Sequence, residues 1–318
     1  MKALVEETVL PSTRPKVRSD FWRYVNRYKF YYLMLLPGIV LIAIFRIAPF
    51  YGITVAFKDY NIFKGINGSP WVGLDWFKVL FHHPDFFRIL KNSLTINLLE
   101  LIFVFPAPIV LALLLNELRM EWFKRVTQSI VYIPHFFSWV IVGGFIIRLL
   151  SPSTGPIRIV FEWLGVEPFM LLLQQSWFYP ILVSGEIWKS AGWGTILYMA
   201  AITGIEQEQY EAAIMDGASR LRRMLHITLP GMAFVIVLNL VLQMGHMLDV
   251  GFEKIFILSN PSVQQISEVF STYNYNVGIV QQRYSFSVAL GLFQSVIGFG
   301  LVILANRIAK WLRNEAVF

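Results

Sequence analysis

A dense group of charged side chains lies in one polar interval, between an apolar run that ends near Ile205 and another that starts at Leu229. Its charged members are Glu206, Glu208, Glu211, Asp216, Arg220, Arg222 and Arg223. Hydrocarbon does not solvate such charges, so we expect the interval to lie in water or against another protein. Alanines surround Gly217, which predicts a helix, a bend at this glycine and a second helix. Pro230 suits the first turn of the helix that follows.

A second group of polar side chains lies within the apolar runs. Asn239, Gln243 and His246 are spaced i, i+4 and i+7, which places them on one face of a helix. Such groups either join helices by hydrogen bonds or line a wet pathway, and we interpret this face as the best candidate for substrate contact. Gln294, in the last apolar run, is a weaker candidate of the same kind.

Aromatic and histidine side chains supply further candidates. Tyr273 and Tyr275 are two residues apart and would share a face of an extended segment. Their rings suit stacking against sugar faces, and they suit anchoring at a membrane interface equally well. His135 could contact substrate or cap a helix end. His82 and His83 are adjacent, with no third metal ligand at helical spacing, and we interpret them as solvated loop residues.

The composition is that of a membrane protein. Hydrophobic residues make up 56% of the chain and charged residues 15%, well below the usual quarter of a soluble domain. The absence of cysteine excludes disulfides and thiolate metal sites. The net charge of +7 could suggest nucleic acid, but the placement of the basic residues fits membrane topology instead.

The apolar runs predict an all-α polytopic membrane protein with about six transmembrane helices. We expect spans near 31–50, 92–115, 127–149, 179–203, 229–248 and 285–308. The first run is too long for a signal peptide, so we expect it to be retained. An even number of spans and the excess of basic residues in alternate loops predict that both termini and the polar interval are cytoplasmic. Glu186 and Lys189 are three residues apart in the fourth run and could pair on one helix face.

Several short motifs carry a family resemblance. Glu211-Ala212-Ala213, Gly217 and the Ile227-x-Leu229-Pro230 ending resemble the EAA loop of ATP-binding-cassette (ABC) importer permeases. The Val72-Gly73-Leu74 element resembles one that is common in sugar permeases. The segments around Pro134-His135-Phe136, Gly251-Phe252-Glu253 and Thr272 to Tyr275 resemble the polysaccharide-type branch, in particular the permeases of alginate importers.

This resemblance implies the type I importer permease fold, multi-pass in a bacterial inner membrane. It implies an interfacial N-terminal segment at 1–30, a permease domain at 31–310 with a coupling loop at about 204–228, and a cytoplasmic tail at 311–318. The residues that it implies for ATPase coupling are Glu211, Ala212, Ala213, Asp216, Gly217 and Ala218. The implied partners are a second permease in a heterodimer, two ATPase subunits, an extracytoplasmic substrate-binding protein and membrane lipid. The chain has no phosphate-binding loop motif, so we expect no cofactor on it, with ATP and Mg²⁺ on the ATPase subunits.

The branch resemblance points to oligo- or polysaccharides, with alginate as the leading substrate and neutral oligosaccharides as the alternative. Arg46, Arg148 and Lys189 could pair with uronate carboxylates or serve as interfacial anchors. An ion-coupled secondary transporter would show internal repeats and midplane carboxylates, whereas Glu100 is the main acidic residue deep within a span. A membrane-embedded enzyme would need clustered catalytic residues, and no such motif joins His135 to His246.

Overall fold

The computed structural model describes the backbone of residues 23–313 and the side chains of residues 23–310. Within this range the chain is almost entirely helical, and its only β contact is an isolated antiparallel bridge between Lys58 and Trp71. The predicted all-α class is therefore confirmed. The chain divides into two compact units, with the boundary between Thr54 and Val55. Residues 1–22 and 314–318, which include most of the predicted N-terminal segment and cytoplasmic tail, lie outside the described residues.

The first unit is an apolar helix. A short helical stretch at 23–27 precedes helix α1 (Lys29–Ile42), which continues through a π-helical segment (Ala43–Ile47) into a 3-10 segment (Ala48–Phe57). None of the side chains of α1 or of the π-helical segment is buried. An apolar helix without a polar face suits contact with lipid.

The second unit consists of helices joined by short turns. Its helices are α2 (Gly65–Gly68), α3 (Asp75–His82), α4 (Phe86–Leu99), α5 (Pro106–Asn116), α6 (Glu121–Tyr132), α7 (Trp139–Leu149), α8 (Ile157–Leu164), α9 (Gln175–Thr203), α10 (Gln207–Met215), α11 (Arg220–Arg223), α12 (Leu229–Gly231), α13 (Ala233–Gly245), α14 (Phe252–Leu258), α15 (Gln264–Ser267), α16 (Phe270–Tyr275) and α17 (Tyr284–Arg313). The 3-10 segments are Ile133–Phe136 and Leu171–Leu173, and the π-helical segments are Glu100–Val104, Met224–Thr228 and Asn276–Val280.

The second predicted span is longer than expected. Helices α4 and α5 form one helix, Phe86–Asn116, joined by the π-helical segment, in which the N–H of Phe105 donates to the carbonyl of Glu100 at 2.9 Å. This wider turn precedes Pro106, which begins α5 because it has no N–H to donate. The helix starts at Phe86 rather than at residue 92, so Arg88 lies in its first turn.

Three helices of the described chain are long and apolar enough to cross a membrane: Lys29–Phe57, Phe86–Asn116 and Tyr284–Lys310. Two bent pairs raise this number to five if each pair is one span. The fourth predicted span, within α9, has 29 residues but is not among them, since serines, glycines, Glu186 and Lys189 lower its hydropathy.

A straight third span is not observed. Helix α6 with its 3-10 extension and helix α7 are bent by 101° between Phe136 and Trp139. Ser138 is extended there, and its side chain caps α7 by accepting a hydrogen bond from the N–H of Ile141 at 3.4 Å. The fifth span is also bent, by 58° at Met232.

The helices that carry the candidate site pack closely around α9. Its main neighbour is α5, and α13 packs mainly against α17. Gly192 lets α9 approach the backbone of Val131 so closely that a Cβ atom there would overlap the carbonyl oxygen. A buried cluster that includes Phe178 and Leu182 of α9 and Ile255 of α14 joins α9 to the segment after α13. Because of these contacts, α5, α9, α13 and α14 surround one space inside the second unit.

Candidate functional site

The first site is the loop between α9 and α12, and it has the predicted helix–bend–helix form. Helix α10 ends at Met215, and Gly217, two residues later, has a φ of +75°, a left-handed conformation that glycine adopts without a Cβ penalty. The N–H of Ala218 donates to Ala213 O at 2.9 Å, and that of Gly217 donates to Ile214 O at 3.0 Å. These two bonds form a Schellman motif, which satisfies the last carbonyls of α10 and turns the chain into α11.

The residues predicted for ATPase coupling lie on an exposed surface of this loop. Glu211, Ala212, Asp216 and Gly217 are exposed, and Ala213 and Ala218 are partly exposed. Next to them, the side chain of Met215 is 87% exposed. An exposed methionine beside alanines and two carboxylates offers a small apolar ridge with a charged margin, which is a surface that another protein can bind.

A hydrogen bond fixes this loop to the helix that follows it. The hydroxyl of Tyr210 in α10 lies 2.9 Å from the hydroxyl of Thr228, which is buried. Thr228 belongs to a continuous helical segment, Arg220–Gly231, which is the first half of the bent fifth span. The prediction that the re-entering helix starts near Leu229 is therefore wrong, because a π-helical segment carries the helix from α11 through Pro230. A hydrogen bond therefore links α10 directly to this span.

The second site is a cavity of about 440 Å³ within the second unit, which we call cavity 1. It is lined by α5, the 3-10 segment at 133–136, α9, α13 and Glu100. Asn239 and Gln243, two of the predicted pathway residues, line it. His135 also lines it, and its ring stacks on Trp193 with centroids 4.4 Å apart and planes 5° apart. The cavity thus combines an aromatic platform with amide and carboxylate groups.

Three charged residues from separate elements meet beside cavity 1. The Nζ atom of Lys254 in α14 lies 2.6 Å from an oxygen of Glu100 and 3.1 Å from an oxygen of Glu186 in α9. Glu100 and Lys254 are each 7% exposed. The second oxygen of Glu186 accepts a hydrogen bond from Ser190. We call these three residues the buried ion cluster.

The cluster corrects the pairing expected from sequence. Glu186 pairs with Lys254 and not with Lys189, whose Nζ instead donates to the backbone carbonyl of His135 at 3.1 Å. Lys254 is one of the buried residues of helix α14. Of the cations considered for uronate binding, Lys189 and Arg148 are not among the lining residues of cavity 1, and Arg46 is exposed within the first unit.

The remaining pathway candidates lie in a different place. A second cavity, of about 570 Å³, is lined by His246, Tyr275 and Gln294, together with Asp249 and Asn274. We call it cavity 2. The single polar face expected for Asn239, Gln243 and His246 is wrong, because α13 ends at Gly245 and His246 follows it with φ −100°. The Nε2 atom of Gln294 donates to Leu248 O at 3.1 Å, so this side chain also joins α17 to the segment after α13.

Tyr273 and Tyr275 do not share a face, because their segment is helical and not extended. Tyr273 is buried in a cluster with Phe86 and Phe286, and its hydroxyl lies 3.1 Å from Nε2 of His83. Burial raises the pKa of Tyr273, so its hydroxyl stays protonated. Tyr275 is exposed, and its ring packs against that of Phe252. The structure therefore gives Tyr273 a packing role, while Tyr275 faces cavity 2.

Sequence reasoning missed Lys254 and Trp193 as site residues. A partial signal was present: Glu100 stands alone in an apolar stretch, whereas Lys254 follows Glu253 within Phe252–Leu258. A buried charge requires a partner, so Glu100 could have been expected to pair with a cation distant in sequence. Trp193 carried no such signal, since tryptophan is also enriched at membrane–water interfaces.

Comparison with known proteins identifies close relatives. Residues 104–314 match the family of binding-protein-dependent transport system inner membrane components. The chain is 46% identical over 294 residues to protein LplB of Bacillus subtilis, covering 92% of both chains. It is 47% identical over 290 residues to the Bacillus subtilis polygalacturonan/rhamnogalacturonan transport system permease protein YteP, covering 91% of this chain and 90% of that one.

A solved structure is also similar. It is the crystal structure of a bacterial ABC transporter involved in the import of the acidic polysaccharide alginate. The chain matches one of its chains with a TM-score of 0.85 and 40% identity, covering 92% of this chain and 99% of that one. A second match of equal TM-score and identity is the alginate transporter in complex with an alginate pentasaccharide-bound periplasmic protein.

Proposed function

Because the chain belongs to the family of binding-protein-dependent transport system inner membrane components, we propose that it is one permease subunit of an ATP-driven importer of oligo- or polysaccharides. Cavity 1 is the observation that carries the proposal. It presents the stacked rings of His135 and Trp193 together with the amides of Asn239 and Gln243. Flat aromatic faces stack on sugar rings, and amide and carboxylate groups bind sugar hydroxyls.

The assembly that we propose follows from the family. The family name states that transport depends on a binding protein, and one solved structure of the alginate transporter contains a periplasmic protein in complex with it. We propose that this chain pairs with a second permease in the inner membrane and that two ATPase subunits bind ATP and Mg²⁺. The chain itself carries no phosphate-binding loop motif.

The coupling mechanism uses the loop at about 204–228. The ridge of Glu211, Ala212 and Met215 docks on an ATPase subunit, and Gly217 sets the angle of α10. When the ATPase subunits close on ATP, α10 moves with them, and its bond from Tyr210 to Thr228 passes the motion to the fifth span. That span carries Asn239 and Gln243, so cavity 1 changes shape as the loop moves. In this mechanism, movement of α10 opens cavity 1 alternately to the two sides of the membrane.

The substrate that we propose is an acidic oligosaccharide, because two of the relatives are named for polygalacturonan/rhamnogalacturonan and alginate transport. A specific observation supports the neutral alternative: the charged side chains that line cavity 1 are the carboxylates of Glu100 and Glu186. Carboxylates accept hydrogen bonds from hydroxyl groups and repel uronates.

The test is ATPase activity of the reconstituted complex with its own binding protein, measured with uronate oligomers and with the same oligomers after reduction of their carboxyl groups. We expect stimulation by the uronate oligomers and weaker stimulation by the reduced ones. Stimulation by the reduced oligomers alone would select the neutral alternative. Absence of stimulation by any oligosaccharide, in a complex that hydrolyses ATP, would refute carbohydrate import.

A further inference from the structure

Glu100 has a free hydrogen-bonding capacity that its ion pair does not use. One carboxylate oxygen accepts from Lys254 at 2.6 Å, and the other has no hydrogen-bond partner among the described residues. The side chain is more than nine-tenths buried, and it lines cavity 1. This second oxygen is not enclosed by protein atoms, so water or a ligand can supply it with a donor. The open space of cavity 1 is where that donor would come from.

Lys254 holds this carboxylate in place without lining the cavity. Its Nζ atom bridges Glu100 and Glu186, so the two carboxylates lie no farther apart than the two ion-pair distances combined. Both oxygens of Glu186 are engaged, one by Lys254 and one by Ser190. The free acceptor of the buried ion cluster is therefore on Glu100.

We propose that Glu100 is a substrate-contacting residue of cavity 1, that its free oxygen accepts a hydrogen bond from a sugar hydroxyl, and that Lys254 is the positioning residue that aims it. The ligand class is a polyhydroxylated ring, which would stack on Trp193 while a hydroxyl donates to Glu100. This inference rests on the proposed function, since it assumes that a carbohydrate enters cavity 1. A carboxylate oxygen accepts hydrogen bonds from hydroxyl groups, and the ammonium of Lys254 holds the other oxygen of Glu100 at 2.6 Å.

The test compares Glu100→Gln with the unchanged complex, in proteoliposomes with the loaded binding protein. The amide keeps the size of the side chain, and Lys254 keeps Glu186 as an ion-pair partner. We expect maximal transport to fall about tenfold or more, as for the loss of one charge-assisted hydrogen bond. The concentration of loaded binding protein that gives half-maximal transport should not change, because docking takes place elsewhere. A merely structural defect would lower the yield of complex and its basal ATPase activity instead.

A double-substitution cycle tests the role of Lys254. Lys254→Met should lower maximal transport, and Lys254→Arg should keep most of it. The double variant Glu100→Gln with Lys254→Met should transport at least as fast as the less active of the two single variants. Glu162→Gln, which removes the exposed pair of Glu162 with Arg158, is the matched control and should have no effect.

The outcomes separate the two levels of the proposal. Normal maximal transport by Glu100→Gln, or additive losses in the cycle, would overturn the assignment of Glu100 and Lys254 while leaving carbohydrate import intact. If the unchanged complex transports no oligosaccharide, the proposed function itself fails.

Discussion

At the scale of single residues, the site depends on polar groups whose partners lie far away in sequence. Lys254 and Glu100 are separated by more than one hundred and fifty positions and meet at 2.6 Å. The sequence allowed Glu186 to be paired with Lys189 because local spacing is visible in it, whereas a contact between α14 and the π-helical segment Glu100–Val104 is not. Long-range burial, and not helical spacing, decided which cation neutralises Glu186.

The bond between Tyr210 and Thr228 gives a prediction at this scale. Tyr210→Phe should destabilise the subunit by about 1 kcal/mol, because the buried Thr228 hydroxyl loses its partner. Thermal unfolding of the purified complex measures this as a lower midpoint. The double variant Tyr210→Phe with Thr228→Val removes both polar groups, so it should recover much of the loss. If the double variant were as unstable as the sum of the singles, this bond would not be the cause.

At the scale of elements, the sequence predicted the helices well and their joints poorly. The helix that ends before Gly217 was predicted because alanines and a glycine at a helix end are local signals. The 101° bend between α6 and α7 was missed, although Pro134 and the Ser138 cap lay within the run. A hydropathy pattern averages over such a break, so two short helices resemble one long span.

Gly217 gives the prediction at this scale. Gly217→Ala should strain the left-handed bend by about 1 kcal/mol, tilt α10 and lower sugar-stimulated ATPase activity about fivefold. Gly204→Ala is the matched control from the same loop, since Gly204 has a φ of −83° that alanine adopts freely. Gly217→Asn should be intermediate, because asparagine tolerates the left-handed region better. Equal activity of the two alanine variants would show that the bend does not set coupling.

At the scale of the whole molecule, the sequence motifs predicted the family, and the comparisons confirm it. The EAA-type motif consists of neighbouring residues, which is why the sequence could predict the helix–bend–helix form of the loop at about 204–228. The walls of the cavities come from helices that are distant in sequence. Asn239 and His246 were therefore assigned to one helix face. Because α13 ends at Gly245, His246 lies outside the helix, and the two residues line separate cavities.

The division of the polar candidates between two cavities has a consequence for transport. A pathway that runs through cavity 1 depends on Asn239 and Gln243, while His246 and Gln294 line cavity 2 beside Asp249. Gln294 also donates to the backbone of Leu248, as a residue that joins helices does. Asn239 and Gln243 thus have the position expected of residues that line a pathway, whereas Gln294 has the contact expected of a residue that joins helices.

The central claim is that the loop at about 204–228 docks on a separate ATPase subunit, and the chain offers a direct test. It contains no cysteine, so one introduced thiol places a photoreactive cross-linker at a single position of this subunit, which is labelled before the complex is assembled. Met215→Cys places it on the exposed ridge, and Trp163→Cys places it on α8, where the tryptophan is 91% exposed. In the active complex, we predict a cross-link from position 215 to an ATPase subunit and none from position 163. An active complex in which position 215 never cross-links to an ATPase subunit would contradict the claim.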